Sequence, residues 1–181
     1  MGENKTAFLI TGRPGCGKTT LIRRLVEALG VSAGGFYTEE IRGRGRREGF
    51  ALATLDGQSA TLASIGSASR HRVSRYGVNL DAIDEVGAPA IERATAGAAL
   101  VVIDEIGKME LLSNRFRQAV LAALESGKPM LGSIMLAPHP WADAIKSRPE
   151  VSLILLSEAN RRQVEDQLLA ELRARLGHRS S

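Results

Sequence analysis

Gly12-Arg13-Pro14-Gly15-Cys16-Gly17-Lys18-Thr19 decides how this chain is read. The octet matches the phosphate-binding pattern G-x-x-x-x-G-K-[ST], and its flanks are those the pattern needs. Before it, Thr6-Ala7-Phe8-Leu9-Ile10-Thr11 is a short apolar run rich in strand formers. After it, Leu21, Ile22, Leu25, Val26 and Leu29 share one face of a helix that Gly30 can end. Between strand and helix, the glycines let the backbone curl so that N–H groups from Gly15 to Thr20 point inward at an anion, helped by the helix N-terminus. Lys18 then bridges the β and γ phosphates, the Thr19 hydroxyl ligates Mg²⁺, and Thr20 reaches the α-phosphate. Gly12, Arg13, Pro14, Gly15, Cys16, Gly17, Lys18, Thr19 and Thr20 together form the expected nucleotide-binding segment. A bare glycine turn is the competing reading, and the presence of both flanking elements argues against it.

Outward from the loop, the hydrophobic period changes to two between residues 34 and 65, with Asp56-Gly57 as a hairpin signal. Residues 72–78 read as one more extended piece, so 34–78 is expected to be a small antiparallel meander inserted in the domain. A helix is predicted over 81–96, disturbed by Pro89. Ala98-Ala99-Leu100-Val101-Val102-Ile103 is an uninterrupted apolar run ending in Asp104-Glu105, the signature of a strand covered on both faces. Ser113 can cap a helix over 114–126, Gly127 and Pro129 stop it, and 130–135 is the next strand. A short helix over 140–146, a last strand over 151–156 and a helix capped by Ser157 and reaching Leu176 complete the pattern, with 178–181 frayed. Strands alternating with helices predict one α/β domain over 1–181. Its three layers enclose a mainly parallel sheet with the ligand crevice at the strands' carboxyl ends.

Asp104, at the end of the apolar strand, has the position of the acid that holds the Mg²⁺ shell. Glu105 follows it and can face the γ-phosphate to orient a water for in-line attack. Glu39 and Glu40, on the strand after the first helix, are rivals for that second role. Lys108 and Glu110 either complete the site or form a surface ion pair. Charge developing on the β–γ bridge oxygen calls for a further cation. Arg161 is the candidate for this stabilising role, with Arg162 beside it, because two arginines in a helix's first turn oppose the dipole. Arg42, Arg44, Arg46 and Arg47 read first as a solvated hairpin tip, and less readily as a grip on phosphate or nucleic acid, since no aromatic interleaving accompanies them. Cys16 reads as a small filler, and His71, His139 and His178 lack metal-site spacing. Trp141, Phe36 and Tyr37 can stack on a base but fit a core better.

The chain has 181 residues, with 24 Lys+Arg against 20 Asp+Glu and 44% hydrophobic residues. This excludes disorder and coiled coil, and a net charge of +4 suits phosphate handling or solubility as well as nucleic acid. A single cysteine excludes an internal disulfide and suits a reducing cytoplasm. No apolar run approaches the ~20 residues of a membrane span, and none follows the N-terminus as a signal. Met1-Gly2-Glu3-Asn4-Lys5-Thr6 fits loose myristoylation and glycosylation patterns of a kind that often arises by chance. The length leaves no room for a separate acceptor domain, which favours water as the acceptor.

Beyond the octet, Gly35-Phe36-Tyr37-Thr38-Glu39-Glu40-Ile41-Arg42, Arg47-Glu48-Gly49-Phe50, Val102-Ile103-Asp104-Glu105-Ile106-Gly107-Lys108-Met109-Glu110-Leu111 and Asn160-Arg161 follow in order. With them the chain resembles a family of small nucleoside-triphosphatases, thermophile-type enzymes whose human relative is called cancer-related nucleoside-triphosphatase. The resemblance implies a RecA-like phosphate-loop fold of monomer size. It also implies Mg²⁺-dependent hydrolysis of ATP, GTP and other nucleoside triphosphates with weak base selectivity. The family pattern Gly-Lys-Tyr before Val78 is replaced here by Ser74-Arg75-Tyr76-Gly77, where Arg75 keeps the charge. The chain also lacks the Asn-Lys-x-Asp base reader of GTPases and the Leu-Ser-Gly-Gly-Gln signature of transporter ATPases. Two other functions fit the same loop: a phosphotransferase acting on a nucleotide or small hydroxyl compound, and a nucleotide-dependent nucleic-acid-binding module.

Overall fold

A computed structural model describes residues 4–177. Residues 1–3 of the myristoylation-like pattern and the expected frayed end at 178–181 lie outside the described residues. The elements run β1 (Ala7–Thr11), α1 (Lys18–Leu29), β2 (Ala33–Gly43), β3 (Arg46–Thr54), β4 (Ser59–Ser64), β5 (Arg72–Val73) and β6 (Tyr76–Val78). Then follow α2 (Leu80–Ala82), a π-helical turn (Ile83–Gly87), α3 (Ala88–Gly97), β7 (Leu100–Ile106) and a 3₁₀ turn (Glu110–Leu112). The chain continues through α4 (Asn114–Glu125), β8 (Met130–Ile134), α5 (Pro140–Lys146), β9 (Val151–Leu155) and α6 (Arg161–Gly177).

Among the described residues the strands form one sheet in the order β5-β6-β4-β3-β2-β7-β8-β1-β9. The strands β2, β7, β8, β1 and β9 are parallel neighbours. Alternation sorts their side chains to two cores. Phe8, Ile10, Leu100 and Val102 meet Leu21, Leu25, Val164 and Leu168 of α1 and α6. Leu9, Val101 and Ile103 meet Ile91, Phe116 and Val120 of α3 and α4 on the other face. Both faces are covered, which is why these strands read as continuous apolar runs.

Three expectations are refined. The antiparallel meander is continuous with the parallel sheet: Ala33–Phe36 of β2 pairs parallel with β7, while Phe36–Gly43 pairs antiparallel with β3. The sheet therefore continues outward from β2 through β3, β4, β6 and β5. Pro89 does not break its helix. The preceding turn widens instead, with the Ala88 N–H donating to the Ile83 carbonyl, which relieves the clash of a proline ring with the carbonyl four residues earlier. The last helix starts at Arg161 rather than after Ser157, because the Asn160 side chain accepts from the Ser157 N–H at 2.8 Å and donates to the Leu155 carbonyl at 2.8 Å. No helix among the described residues is long and apolar enough to cross a membrane.

Candidate active site

The loop between β1 and α1 turns through two left-handed glycines, Gly15 at φ 78° and Gly17 at φ 95°. At Gly17 a side chain is excluded twice, by that φ and by the Arg161 Nη2 atom, which lies 2.8 Å from where a Cβ would stand. Arg161, in the first turn of α6, donates from Nη2 to the Cys16 carbonyl at 2.6 Å. Its Nε is buried without a partner among the described residues. A residue 145 positions away in sequence thus braces the loop. Arg162 is exposed on the same helix, and so is Thr20 on α1. Lys18 Nζ donates to the carbonyls of Gly12 at 3.0 Å and Arg13 at 3.2 Å, so its charge stands over the loop it belongs to.

Asp104 is 2% exposed at the carboxyl end of β7. Thr19 Oγ1 donates to its Oδ2 at 2.7 Å, and Ser133 Oγ donates to its Oδ1 at 2.5 Å. Thr38 Oγ1 donates to its main-chain carbonyl at 2.7 Å. Sheet order explains the convergence. β8 lies between β1 and β7 and supplies Ser133, while β2 lies on the other side of β7 and supplies Thr38. Neither Ser133 nor Thr38 is legible as a site residue from sequence; Ser133 shows only as a lone hydroxyl in an otherwise apolar strand, and Thr38 sits in a polar stretch of β2 that does not mark it. Burial raises the Asp104 pKa, opposed by the Ser133 and Thr19 hydrogen bonds and by the charges of Lys18 and Arg23.

Glu105 follows across a cis peptide. Its pKa is raised by burial first and by the Asp104 charge second, with Lys18 pulling it down. Glu110 is 4% exposed, and burial followed by the Glu105 charge raises its pKa to about 8. The two glutamates flank Gly107: a Cβ there would lie 2.8 Å from Glu105 Oε1 and 3.0 Å from Glu110 Oε2. Of the two readings of Lys108 and Glu110, the surface pair fails, since Glu110 is buried in the site while Lys108 is exposed. A cavity of about 500 Å³ brings together Gly12, Lys18, Thr38, Glu105 and Glu110. A second, of about 540 Å³, lies against Arg13, Gly15, Cys16, Leu155 and Glu158.

Glu39 and Glu40 line neither cavity. Glu39 pairs with Arg23 at 2.5 Å, and Glu40 pairs with Arg42 at 2.7 Å and with Arg47. Arg44 and Arg46 border a separate cavity of about 420 Å³ with Arg47, Glu48 and Arg75. Phe36 is core, 6.2 Å from Phe116 between ring centroids, and Trp141 packs against the same core. Tyr37 lies under Arg23 at 4.2 Å, and His139 Nδ1 caps α5 by accepting from the Trp141 N–H at 3.2 Å. Cys16 is half-buried, with its Sγ 4.0 Å from Lys18 Nζ.

Among the described residues no group of three or more His, Cys, Asp or Glu is arranged to hold a metal ion. The donors at the loop are instead one hydroxyl and one carboxylate, Thr19 and Asp104, 2.7 Å apart. Hard oxygen donors of this kind, few in number and beside a phosphate site, suit Mg²⁺, which keeps water and substrate oxygens in its shell.

A glycine loop feeding a helix, a lysine over it and a buried acid tied to the loop's threonine are the parts of a nucleotide-binding α/β enzyme. The NTPase family matches residues 7–169. A nucleoside-triphosphatase THEP1 of Thermotoga sp. strain RQ2 is 44% identical over 172 residues, covering 95% of this chain and 98% of that protein. A cancer-related nucleoside-triphosphatase homolog of Bos taurus is 36% identical, with 91% of this chain and 95% of that protein covered. The crystal structure of THEP1 from Aquifex aeolicus superposes with a TM-score of 0.84 at 37% identity, covering 92% of this chain and 98% of that one. The solution structure of a human cancer-related nucleoside triphosphatase gives 0.79 at 35% identity, with 94% and 98% covered. The chain belongs to this nucleoside-triphosphatase family.

Proposed function

We propose that the whole chain acts as one catalytic unit that hydrolyses nucleoside triphosphates to diphosphate and phosphate, with Mg²⁺ and with weak base selectivity. The observation that carries this reading is Asp104 held between the Thr19 and Ser133 hydroxyls, with Glu105 next to it in a cavity that Lys18 shares. The loop N–H groups and Lys18 bind the triphosphate. Thr19 and Asp104 would hold Mg²⁺, which when bound neutralises charge on the β and γ phosphates. Glu105 orients the attacking water, its burial and the neighbouring Asp104 charge making it a better proton acceptor than an exposed carboxylate. Arg161 braces the loop at Cys16 and adds positive charge beside the phosphates. The nucleoside faces the 540 Å³ cavity, where exposed Leu136 and Leu155 offer apolar contact that every base can use. The single half-buried thiol suits a reducing cytoplasm.

Phosphate release from ATP, GTP, CTP and UTP, each with and without Mg²⁺, tests this. All four should be hydrolysed only with the metal, within about tenfold of one another in kcat/KM. Release independent of Mg²⁺, or confined to one base, contradicts the reading.

A further inference from the structure

The cavity beside Lys18 is much larger than hydrolysis requires. Hydrolysis puts only the γ-phosphate end, its metal and a water of roughly 30 Å³ there, whereas this space is about 500 Å³, the size of a small-molecule site. Its reactive edge is Lys18, Glu105 and Glu110, and the opposite wall is Phe50, Leu62, Val73, Ile134 and Met135. That wall comes from β3, β4 and β5 of the outer sheet and from the end of β8. Phe50 and Val73 are only half-buried on that wall, and Leu136, which also lines the space, is 47% exposed, so an apolar ligand would cover them. On the proposed reading the nucleoside takes the other space, which is lined by Arg13, Gly15, Cys16 and Leu155 and not by Glu105. The large cavity therefore lies at the γ-phosphate end, where an acceptor would sit.

We infer that this cavity is an acceptor site, and that the enzyme also transfers the γ-phosphoryl group to an uncharged, largely apolar alcohol. The inference rests on Lys18 and Glu105 marking the γ-phosphate end. The lining sets the ligand class: two acids, Glu105 and Glu110, are matched by two lysines, Lys18 and Lys108, so nothing there selects a charged acceptor, and the apolar wall rewards a hydrocarbon body. The alcohol oxygen attacks the γ-phosphorus in line, forming a new P–O bond. The bond to the β–γ bridging oxygen breaks, its electron pair leaving on the nucleoside diphosphate, and the alcohol proton passes to the Glu105 carboxylate. Nucleoside triphosphate plus alcohol thus becomes diphosphate plus phosphomonoester. The outer sheet supplies in one wall what a separate acceptor domain would otherwise provide.

The test follows label from γ-³²P-ATP with Mg²⁺ into phosphomonoester and inorganic phosphate, with millimolar benzyl alcohol, cyclohexanemethanol or 1-hexanol, and with glycerol as a polar control. Wild type should form ester from at least one apolar alcohol and little from glycerol. Val73→Trp, which fills the cavity from the short edge strand, should lower ester formation about tenfold or more while phosphate release without alcohol stays within about twofold. Should Val73→Trp lack the wild-type circular dichroism, Val73→Phe takes its place. Label entirely in inorganic phosphate with every alcohol overturns the inference and leaves the hydrolase reading standing. Ester formed equally well by the filled variant, or equally well from glycerol, also overturns it. Absence of both products contradicts the hydrolase reading together with this one.

Discussion

Ser133 donates to a carboxylate that burial alone would push toward its neutral form, so this hydroxyl shares with Thr19 the work of holding the position and the charge of Asp104. Ser133→Ala leaves Asp104 Oδ1 unpartnered at 2% exposure, and urea unfolding should show a loss of about 1–3 kcal/mol. A change below about 0.5 kcal/mol would mean that the hydrogen bond does not hold the carboxylate. Gly17→Ala faces both an unfavourable φ and the Arg161 guanidinium. It should weaken triphosphate binding in equilibrium titration at least about tenfold, and unchanged binding would mean that the loop tolerates a rearranged Arg161. The octet, Asp104 and Glu105 were legible because each stands at the end of a recognisable pattern. Ser133 and Thr38 were not: their contacts with Asp104 span 29 and 66 residues, and nothing local marks a strand hydroxyl that faces a neighbour's acid.

Among the elements, the 3₁₀ turn Glu110–Leu112 carries the clearest pH signature. The native Glu110 carboxyl titrates at about 8 against an ordinary 4.5, so the folded state keeps a proton that the unfolded chain has released. The stabilisation is complete below the unfolded value and is lost as pH rises through about 8. The charges of Glu105 and then Asp104 add repulsion, and exposed Lys108 is the nearby cation in sequence. Urea unfolding from pH 5 to pH 9 should therefore show wild type losing stability by on the order of a few kcal/mol more than Glu110→Gln. Parallel profiles would remove Glu110 as the cause. At α6, Arg161→Ala should lower kcat/KM for ATP at least about tenfold, whereas exposed Arg162→Ala should change it less than twofold. Equal losses would give the cationic role to the helix start as a whole. The start of α6 was misread at Ser157 because Ser157 and Asn160 are both good caps, and only the Asn160 bonds to Ser157 and Leu155 decide between them.

Across the whole molecule, one sheet does two things. Its parallel half aligns the ends of β1, β7 and β8, so that Lys18, Asp104, Glu105 and Ser133 meet. Its antiparallel half, hung on β2, walls the space in front of them. The parallel half could be read from runs such as 98–103, buried on both faces, but strand order could not, and strand order sorts Glu105 from Glu39 and Glu40. The two rival acids lie on β2 against arginines, whereas Glu105 faces the cavity with Lys18. Of the acids in the site, Glu105 is the one proposed to position the water that cleaves the γ-phosphate. Single-turnover phosphate release from Mg-ATP, with ATP binding measured alongside, tests it in Glu105→Gln beside wild type. Glu105→Gln should bind ATP within about twofold of wild type and release phosphate at least about tenfold more slowly, a barrier increase of about 1.4 kcal/mol or more. Release at the wild-type rate would contradict it and move the role to another acid of the site.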